Sequence, residues 1–172
     1  MPALVPPSHH VRDSYLRAVA EYRSEGRRRY LKPRYDAALA GEFDRHLEDL
    51  ARDATECPGR ETQVPQTTLW WVDGAEFLGT VRIRHRLTDE LRRSGGHLGY
   101  DLRPAARGRG HGTPMVAAAL RAAAALGIEC ALLTVDAANT PSRRIIERVG
   151  GLRWQADGDR LRFWVPTHVA PA

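Results

Sequence analysis

Cysteine is scarce in this chain of 172 residues, which contains only Cys57 and Cys130. Two cysteines cannot build the framework of several disulfides that stabilises many small secreted domains. They also lie too far apart in the sequence to form a metal-binding knuckle, and we expect no metal site. A reducing compartment suits such a composition, so we expect the protein to act in the cytoplasm.

Long apolar runs are also missing. No stretch approaches the roughly 18 consecutive apolar residues that a membrane-spanning helix requires. The first ten residues, MPALVPPSHH, lack the basic region and the following apolar region of a secretory signal. We therefore expect neither a membrane partner nor a cleaved leader.

Lysine is nearly absent, since Lys32 is the only one among 26 basic residues and arginine carries the net charge of +5. Abundant arginine, alanine, glycine and proline are typical of a GC-rich genome, so the charge alone does not indicate nucleic acid as a partner. One basic concentration, RSEGRRRYLKPR at residues 23–34, has two interpretations. It is either a solvated helix end and loop or a site for an anionic partner.

What is present suits one domain with its own core, since 42% of the residues are hydrophobic. Apolar residues at helical spacing predict helices over residues 8–25 and 36–53. After these helices the spacing of the apolar residues changes from a helical to an alternating pattern. A hairpin around the Asp73–Gly74 turn is predicted from the segments TTLWWVDG and AEFLGTVRIRHRL. Next come a short helix capped by Thr88 and the strand HLGYDLRP at residues 97–104.

The second half alternates helices and strands. A helix capped by Thr113 runs to Gly127, and IECALLTVD is a buried strand by its continuous apolar character. Asn139 or Thr140 opens a helix to Val149, and the strands LRWQAD and RLRFWVP end the pattern. The order α-α-β-β-(α)-β-α-β-α-β-β predicts a mixed α/β sandwich with strands at its centre.

The turn RPAARGRGHGTPM, between a strand and a helix, predicts an anion-binding site. Helix starts leave backbone N–H groups unpaired and carry partial positive charge. Gly108, Gly110 and Gly112 allow the backbone to approach a phosphate, and Arg107 and Arg109 add charge-assisted hydrogen bonds. The Walker pattern is excluded because no lysine follows, and the dinucleotide pattern GxGxxG is broken. The pattern Arg/Gln-x-x-Gly-x-Gly/Ala remains.

On these residues the chain resembles the GNAT acetyltransferase superfamily, and in particular a bacterial branch of predicted acetyltransferases. The resemblance covers residues 64–166 and is best in GGHLGYDLRPAARGRGHGTPMVAAAL and LLTVDAANTPSRRIIERVGG. It implies an α/β (α+β) fold with a mixed, mostly antiparallel central sheet flanked by helices. Residues 1–172 would form one domain, in which residues 1–60 shape the acceptor site and residues 64–166 bind the cofactor.

The resemblance also implies acetyl-CoA as cosubstrate. The L-x-P element would leave backbone groups free for pantetheine, the glycine turn would take the pyrophosphate, and an N-x-x-S pair would touch the pantetheine and adenylate arms. The residues that match these features are Leu102, Arg103, Arg107, Gly108, Arg109, Gly110, His111, Gly112, Thr113, Asn139 and Ser142. Many relatives have a proton-donating tyrosine where this chain has Ile146.

The chemistry implied is attack of an amine on a thioester, with a small-molecule or amino-acid-like acceptor. His97, Tyr100 and His85 are the candidate catalytic residues, although a structural role is the alternative for each. Of Trp70 and Trp71, one is expected in the core and the other could wall the acceptor cleft. The competing interpretation is a non-catalytic acyl-CoA-binding module. The sequence does not give the oligomeric state, but the final strands often mediate pairing in related proteins, so a homodimer is the assembly that the resemblance allows.

Overall fold

The computed structural model describes residues 1–56 and 64–168, except the side chain of Arg28. Cys57, one of the two cysteines, lies outside the described residues. The helices are Arg12–Ser24 (α1), Pro33–Leu39 (α2), Phe43–Arg52 (α3), Asp89–Arg93 (α4), Gly112–Ala125 (α5) and Thr140–Arg148 (α6). The strands are Ala3–Val5 (β1), Gln66–Asp73 (β2), Glu76–Arg84 (β3), Leu98–Leu102 (β4), Cys130–Asp136 (β5), Leu152–Asp157 (β6) and Arg160–Pro166 (β7).

A four-stranded antiparallel sheet has the order β1-β2-β3-β4. The predicted hairpin is confirmed as β2 and β3, which turn at Asp73 and Glu76. Strand β1 was not predicted, because three residues between prolines have too little pattern to indicate a strand. It pairs with β2 on the side opposite β3, and Ala3 lies across from Val72.

A three-stranded sheet has the order β5-β7-β6 and is also antiparallel. All six residues of β6 are exposed, including Leu152 and Trp154. The homodimer that the resemblance allows through the final strands stays a prediction. With helices against both sheets, the predicted fold class is confirmed.

Two hydrophobic cores lie on opposite faces of the four-stranded sheet. One, the α5 core, joins β3 and β5 to α5 and includes Trp71 and Val81. The other, the N-terminal core, joins α1 to α3 with the sheet and includes Tyr15 and Trp70. Trp70 and Trp71 are 1% and 4% exposed. Both are therefore core residues, although Trp70 also lines a small cavity with Arg29 and Arg82. The expectation that one of them walls the acceptor cleft stays a prediction.

Three boundaries differ from the sequence prediction. The helix expected over residues 36–53 is two helices, because Gly41 adopts a positive φ of 102° between α2 and α3. Thr113 is not a cap but lies inside α5, whose N-cap residue is His111. Strand β3 ends at Arg84, so His85 lies just beyond it. Thr88 does cap α4, accepting a hydrogen bond from the Leu91 N–H.

Candidate active site

The glycine turn joins β4 to α5 at the carboxyl end of β4. After Leu102 the chain forms a 3₁₀ turn, Pro104–Ala106, and α5 begins at Gly112. Gly108 and Gly110 have φ values of 72° and 83°, in the left-handed region that favours glycine. Both are exposed, and a Cβ at either would meet nothing within 4 Å. Their backbone conformation therefore accounts for these glycines.

The turn presents a run of free donors. Within residues 1–56 and 64–168, no backbone N–H of residues 108–113 donates to a protein acceptor. The next residue, Pro114, has no N–H, and the first helical bond of α5 runs from the Met115 N–H to the His111 carbonyl. No acidic side chain lies in the first turn of this 14-residue helix. Six consecutive donors at a helix N-terminus suit a phosphate group.

Arg107 holds the turn in place. Its Nε donates to the Leu102 carbonyl at 3.0 Å, and its two terminal nitrogens contact the Glu25 carboxylate at 2.7 and 2.9 Å. Such a bidentate pair fixes both position and orientation. The guanidinium that the sequence predicts on the phosphate is therefore engaged with the end of α1.

Arg103 is likewise engaged inside the protein and is only 8% exposed. Its guanidinium forms ion pairs with Glu21 and Glu76 and donates to the Ser14 hydroxyl at 3.0 Å. These contacts connect the end of β4 to α1 and to the start of β3. Their burial favours a structural role for this predicted cofactor-binding residue.

The remaining residues of the turn differ in exposure. The side chain of Arg109 is exposed, while His111 and Thr113 are partly exposed around the start of α5. Gly112 is buried, and a Cβ there would collide with the end of Ile145 on α6. Gly112 therefore allows α5 and α6 to approach closely, which is a packing role that the sequence did not indicate.

The two sheets touch at one point and then diverge. The His97 N–H donates to the Leu132 carbonyl at 2.7 Å, and the Leu132 N–H donates to His97 Nδ1 at 2.9 Å. Beyond this junction no ladder joins β4 to β5 among the described residues. Burial, with repulsion from Arg92 and Arg84, lowers the pKa of His97 to about 4. An imidazole that replaces a backbone ladder bond favours the structural alternative for His97.

The open edge of β4 faces the gap between the sheets. The Arg103 N–H donates to the Leu78 carbonyl, so alternation along the strand directs the N–H groups of Tyr100 and Leu102 away from β3. Because β5 has diverged there, these two amides have no ladder partner. They are donors that a pantetheine chain or a developing oxyanion could use.

Tyr100 bridges the gap with its side chain. Its hydroxyl lies 2.6 Å from Ser142 Oγ at the start of α6, while Asn139 caps that helix by accepting from the Ser142 N–H at 3.2 Å. Burial raises the pKa of Tyr100 more than the hydrogen bond to Ser142 lowers it, so the phenol stays protonated near neutral pH. The structure thus brings together a candidate catalytic residue and the predicted N-x-x-S pair.

Ile146 is only 1% exposed and packs in the α5 core. It offers no proton, and the Tyr100 hydroxyl is a hydroxyl donor close to the same helix. His85, in contrast, is held away from this region, with its Nε2 at 2.7 Å from Thr67 Oγ1 on β2. The structure does not bring His85 together with the open edge of β4.

Sequence reasoning missed Asp101. Alternation along β4 places its carboxylate on the sheet face opposite Tyr100, where it contacts Arg82 at 2.5 Å and the Tyr30 hydroxyl at 2.7 Å. Burial raises the pKa of Asp101, but the charge and hydrogen bonds of Arg82 and Tyr30 outweigh this, and the pKa is lowered. The signal was available, because an aspartate inside a short apolar strand requires a buried partner.

The sheet face that carries Asp101 is packed against the N-terminal core. Tyr30 stacks on Tyr22 of α1 at 4.1 Å, and both rings are buried in the N-terminal core beside Asp101. On the other side, alternation along β7 turns Trp164 away from the core residues Leu161 and Phe163, and its ring lies 6.4 Å from that of His97. The glycine turn therefore lies at the carboxyl end of β4, and the Asp101 side chain is partly exposed on the sheet face opposite Tyr100.

The sequence matches the family described as "Acetyltransferase (GNAT) domain" over residues 9–151. The chain therefore belongs to the GNAT acetyltransferase family. No curated protein sequence matches the chain.

Solved structures share this fold. RimJ from Mycobacterium smegmatis in complex with CoA-disulfide is 19% identical, with a TM-score of 0.67 over 96% of this chain and 81% of that one. PaiA N-acetyltransferase from Thermoplasma acidophilum in complex with coenzyme A is 12% identical, with a TM-score of 0.61 over 96% and 99%. Mutant forms of the spermidine/spermine N-acetyltransferase SpeG from Vibrio cholerae are 10% identical, with a TM-score of 0.59 over 97% and 95%. At these identities the likeness shows the fold.

Two further features are absent from residues 1–56 and 64–168. No group of three or more histidine, cysteine, aspartate or glutamate side chains there could hold a metal ion. None of the helices within residues 1–56 and 64–168 combines the length and apolar character needed to cross a membrane.

Proposed function

We propose that the protein is an acetyl-CoA-dependent N-acetyltransferase that acts on a primary amine of a small or amino-acid-like molecule. One observation carries the proposal: the unpaired N–H groups of residues 108–113 continue, through Leu102 and Tyr100, along an open strand edge. This row of N–H donors, called the donor track below, would first meet a pyrophosphate at residues 108–113. It would then meet the amide groups of pantetheine along β4. The neighbours RimJ and PaiA, which are in complex with forms of coenzyme A, support the same assignment.

Different residues of the donor track would bind different parts of the cofactor. Residues 108–113 would hold the pyrophosphate through backbone N–H groups, with exposed Arg109 adding charge. The N–H group of Leu102 or of Tyr100 would pair with pantetheine, while Asn139 and Ser142 would meet it from α6. Arg103 and Arg107 would act indirectly, by fixing β4 and the turn to α1.

Acetyl-CoA, when bound, supplies a thioester whose carbonyl carbon the amine attacks, so that a C–N bond forms as the C–S bond breaks. Of the two strand-edge N–H groups, those of Tyr100 and Leu102, the one that does not pair with pantetheine would stabilise the negative charge that develops on the carbonyl oxygen. The Tyr100 hydroxyl holds a proton that the departing sulfur can take, and solvent then restores it. Asp101 would attract the protonated amine, and its lowered pKa directs the amine's proton to water.

The test is release of free thiol from acetyl-CoA across a panel of primary amines, combined with calorimetric titration of coenzyme A. We expect binding of coenzyme A and turnover with at least one class of amine. Tight binding without turnover for any amine would instead support the non-catalytic module.

The variant Tyr100→Phe tests the proton donor. Since general acids contribute on the order of 100-fold, we expect kcat to fall about that much while the KM for acetyl-CoA changes little. Ser142→Ala is the control for kcat alone, because it keeps the phenol; its KM for acetyl-CoA should rise, since Ser142 would also contact pantetheine. An unchanged kcat in Tyr100→Phe would remove the tyrosine from the mechanism.

A further inference from the structure

Arginines gather on the acceptor side of β3 and β4. On the face that also carries Asp101, a Cβ at Gly99 would lie 3.8 Å from the terminal nitrogens of Arg84 and 3.9 Å from Arg82 Nε. Two guanidiniums therefore border the same bare patch of strand. Gly99 leaves that patch open, directly beside the gap where the acceptor amine would arrive.

The 3₁₀ turn of residues 28–31 adds a further cation. Arg29 lines a small cavity together with Arg82 and Arg34. Arg34 is paired with Asp53 at 2.8 Å, and Arg82 with Asp101 at 2.5 Å. Arg29 forms no ion pair or side-chain hydrogen bond with any residue that the structure describes. Four guanidiniums thus share two carboxylates in this region.

Arg84 also lacks an anionic partner among residues 1–56 and 64–168. Its Nη1 donates to the carbonyls of Gly95 and Gly96 at 3.2 and 3.0 Å, both of which are neutral. Burial, with repulsion from Arg29 and Arg82, lowers the pKa of Arg84 to about 10. Repulsion from Arg82, followed by burial, also lowers the pKa of Arg29. Both arginines stay charged at neutral pH, and the site has an excess of positive charge.

One more group in this region lacks a partner. Arg82 is 6% exposed, and its Nε, which faces Gly99, is buried without a hydrogen-bond partner in the described part of the chain. Buried donors are rarely left unpaired, and a ligand is one way to satisfy them.

The cofactor's own phosphates do not account for this charge. The donors for the pyrophosphate follow the carboxyl end of β4, whereas Arg84 pairs with His97 at the start of that strand. At about 3.3 Å per residue, the strand Leu98–Leu102 separates the two sites by roughly 13 Å. Tyr100 and Asp101 also point to opposite faces. The arginines therefore belong to the acceptor side.

We infer that the acceptor carries an oxyanion, a carboxylate or a phosphoryl group, close to its reactive amine. The inference rests on the proposed function and names its substrate class. Arg84 and Arg29 would bind the oxyanion, because a guanidinium matches the oxygens of carboxylates and phosphates in a bidentate manner. Asp101 would bind the ammonium beside them. Such a site disfavours polyamines, whose extra cations would meet the arginines.

Matched acceptor pairs test the inference. Each pair consists of an amino acid and its decarboxylated amine, for example phenylalanine and phenethylamine. Aminoalkylphosphonates form a third arm, which shows whether the site prefers a phosphoryl group or a carboxylate. Spermidine serves as the polycationic acceptor, which the site should disfavour. We expect kcat/KM for the oxyanion-bearing member to exceed that of its partner by roughly 10- to 100-fold, the value of one charged hydrogen-bonding interaction.

Variants of the two arginines test whether they cause the preference for an oxyanion-bearing acceptor. In Arg84→Gln, and separately in Arg29→Gln, we expect KM to rise more for the anionic acceptor than for the decarboxylated amine, so that the ratio of their kcat/KM values falls. Arg86→Gln, an exposed arginine two residues from Arg84, is the matched control. Coenzyme A affinity and the melting temperature of each variant show whether it has folded.

The outcomes separate the two proposals. Turnover that favours decarboxylated amines or spermidine, or that keeps its preference in both variants, would overturn the inference and leave the proposed function standing. Absence of turnover with every amine would overturn the proposed function. In that case calorimetric titration of the same pairs into the coenzyme A-loaded protein decides the inference, and equal binding of both members would refute it.

Discussion

At the residue scale, the glycines of the turn are defined by backbone conformation. Gly108 and Gly110 adopt positive φ, and a side chain there would cost about 1 kcal/mol even though no neighbour would collide with it. Gly127, which follows α5, adopts a similar φ of 80° and has equally open surroundings. The positions differ in their backbone donors, because the Gly127 N–H donates to the Ala124 carbonyl, whereas the Gly108 and Gly110 N–H groups have no protein acceptor within the described residues.

We therefore expect Gly110→Ala to weaken coenzyme A binding on the order of tenfold, because the methyl group both strains the turn and occupies the approach of the pyrophosphate. Gly127→Ala carries the same backbone strain away from the turn, and we expect its affinity to equal that of the wild type. Isothermal titration calorimetry measures both. Equal losses in the two variants would show that strain alone is responsible.

A second effect at this scale concerns acid sensitivity. His46 is 1% exposed, its Nε2 lies 2.7 Å from the Tyr15 hydroxyl, and burial, with repulsion from Arg34, lowers its pKa to about 4. The unfolded chain therefore binds a proton more readily between about pH 6.5 and 4. Protonation thus removes stability as the pH falls through this window.

We expect His46 to account for about 2 kcal/mol of the unfolding free energy lost between pH 7.5 and 5. His46→Gln keeps a hydrogen-bonding group near Tyr15 without a titrating proton, so its stability should depend less on pH by that amount. His168→Gln, at an exposed position, is the control. Urea titrations at both pH values provide the measurement. A pH dependence equal to that of the wild type would contradict this assignment.

At the element scale, the sequence predicts elements better than it predicts what their side chains contact. The hairpin, α4, α5 and the last three strands follow from periodicity and from turn residues, which act locally. Arg103 and Arg107 sit in a motif beside a phosphate-binding turn, but their partners lie on α1, more than 80 residues away in sequence. Such long-range pairs leave no trace in local spacing.

The same limit explains the candidate site. Alternation along β4 distinguishes the face of Tyr100 from that of Asp101, but it does not say which face meets the acceptor. That depends on where α1 and residues 28–31 fold back over the sheet. Asp101, Arg82 and Arg84 therefore become visible as a group only once the N-terminal helices are in place.

The ion pairs of Arg103 join three elements, and we expect Arg103→Met to lower the unfolding free energy by about 2–3 kcal/mol. The reason is that Glu21 and Ser14 would lose a donor in a largely buried setting. Arg45→Met removes an exposed pair with Glu42 on α3 and should change stability by less than about 1 kcal/mol. Chemical denaturation measures both. Unchanged stability together with a large loss of coenzyme A affinity would indicate direct cofactor contact instead.

At the scale of the whole molecule, the two sheets are separate ladders that meet through His97 and Leu132 and share the α5 core. The gap between β4 and β5 leaves backbone donors open on one strand and the start of α6 on the other side. A ligand that fills this gap would contact both halves at once. Binding should therefore stabilise the whole fold rather than one loop.

We expect coenzyme A at about 100 times its dissociation constant to raise the unfolding free energy by about 2.7 kcal/mol. For a chain of this length that corresponds to an increase in melting temperature of roughly 5–10 °C. Pantetheine at the same concentration lacks the pyrophosphate and should give a smaller shift. Hydrogen exchange should slow most in peptides that cover residues 98–113, where the ligand adds direct contacts, and less in α3, which lies against the N-terminal core and gains only the global stabilisation. An equal shift with pantetheine, or protection confined to elements other than β4 and the turn, would contradict the placement of the cofactor across the two sheets.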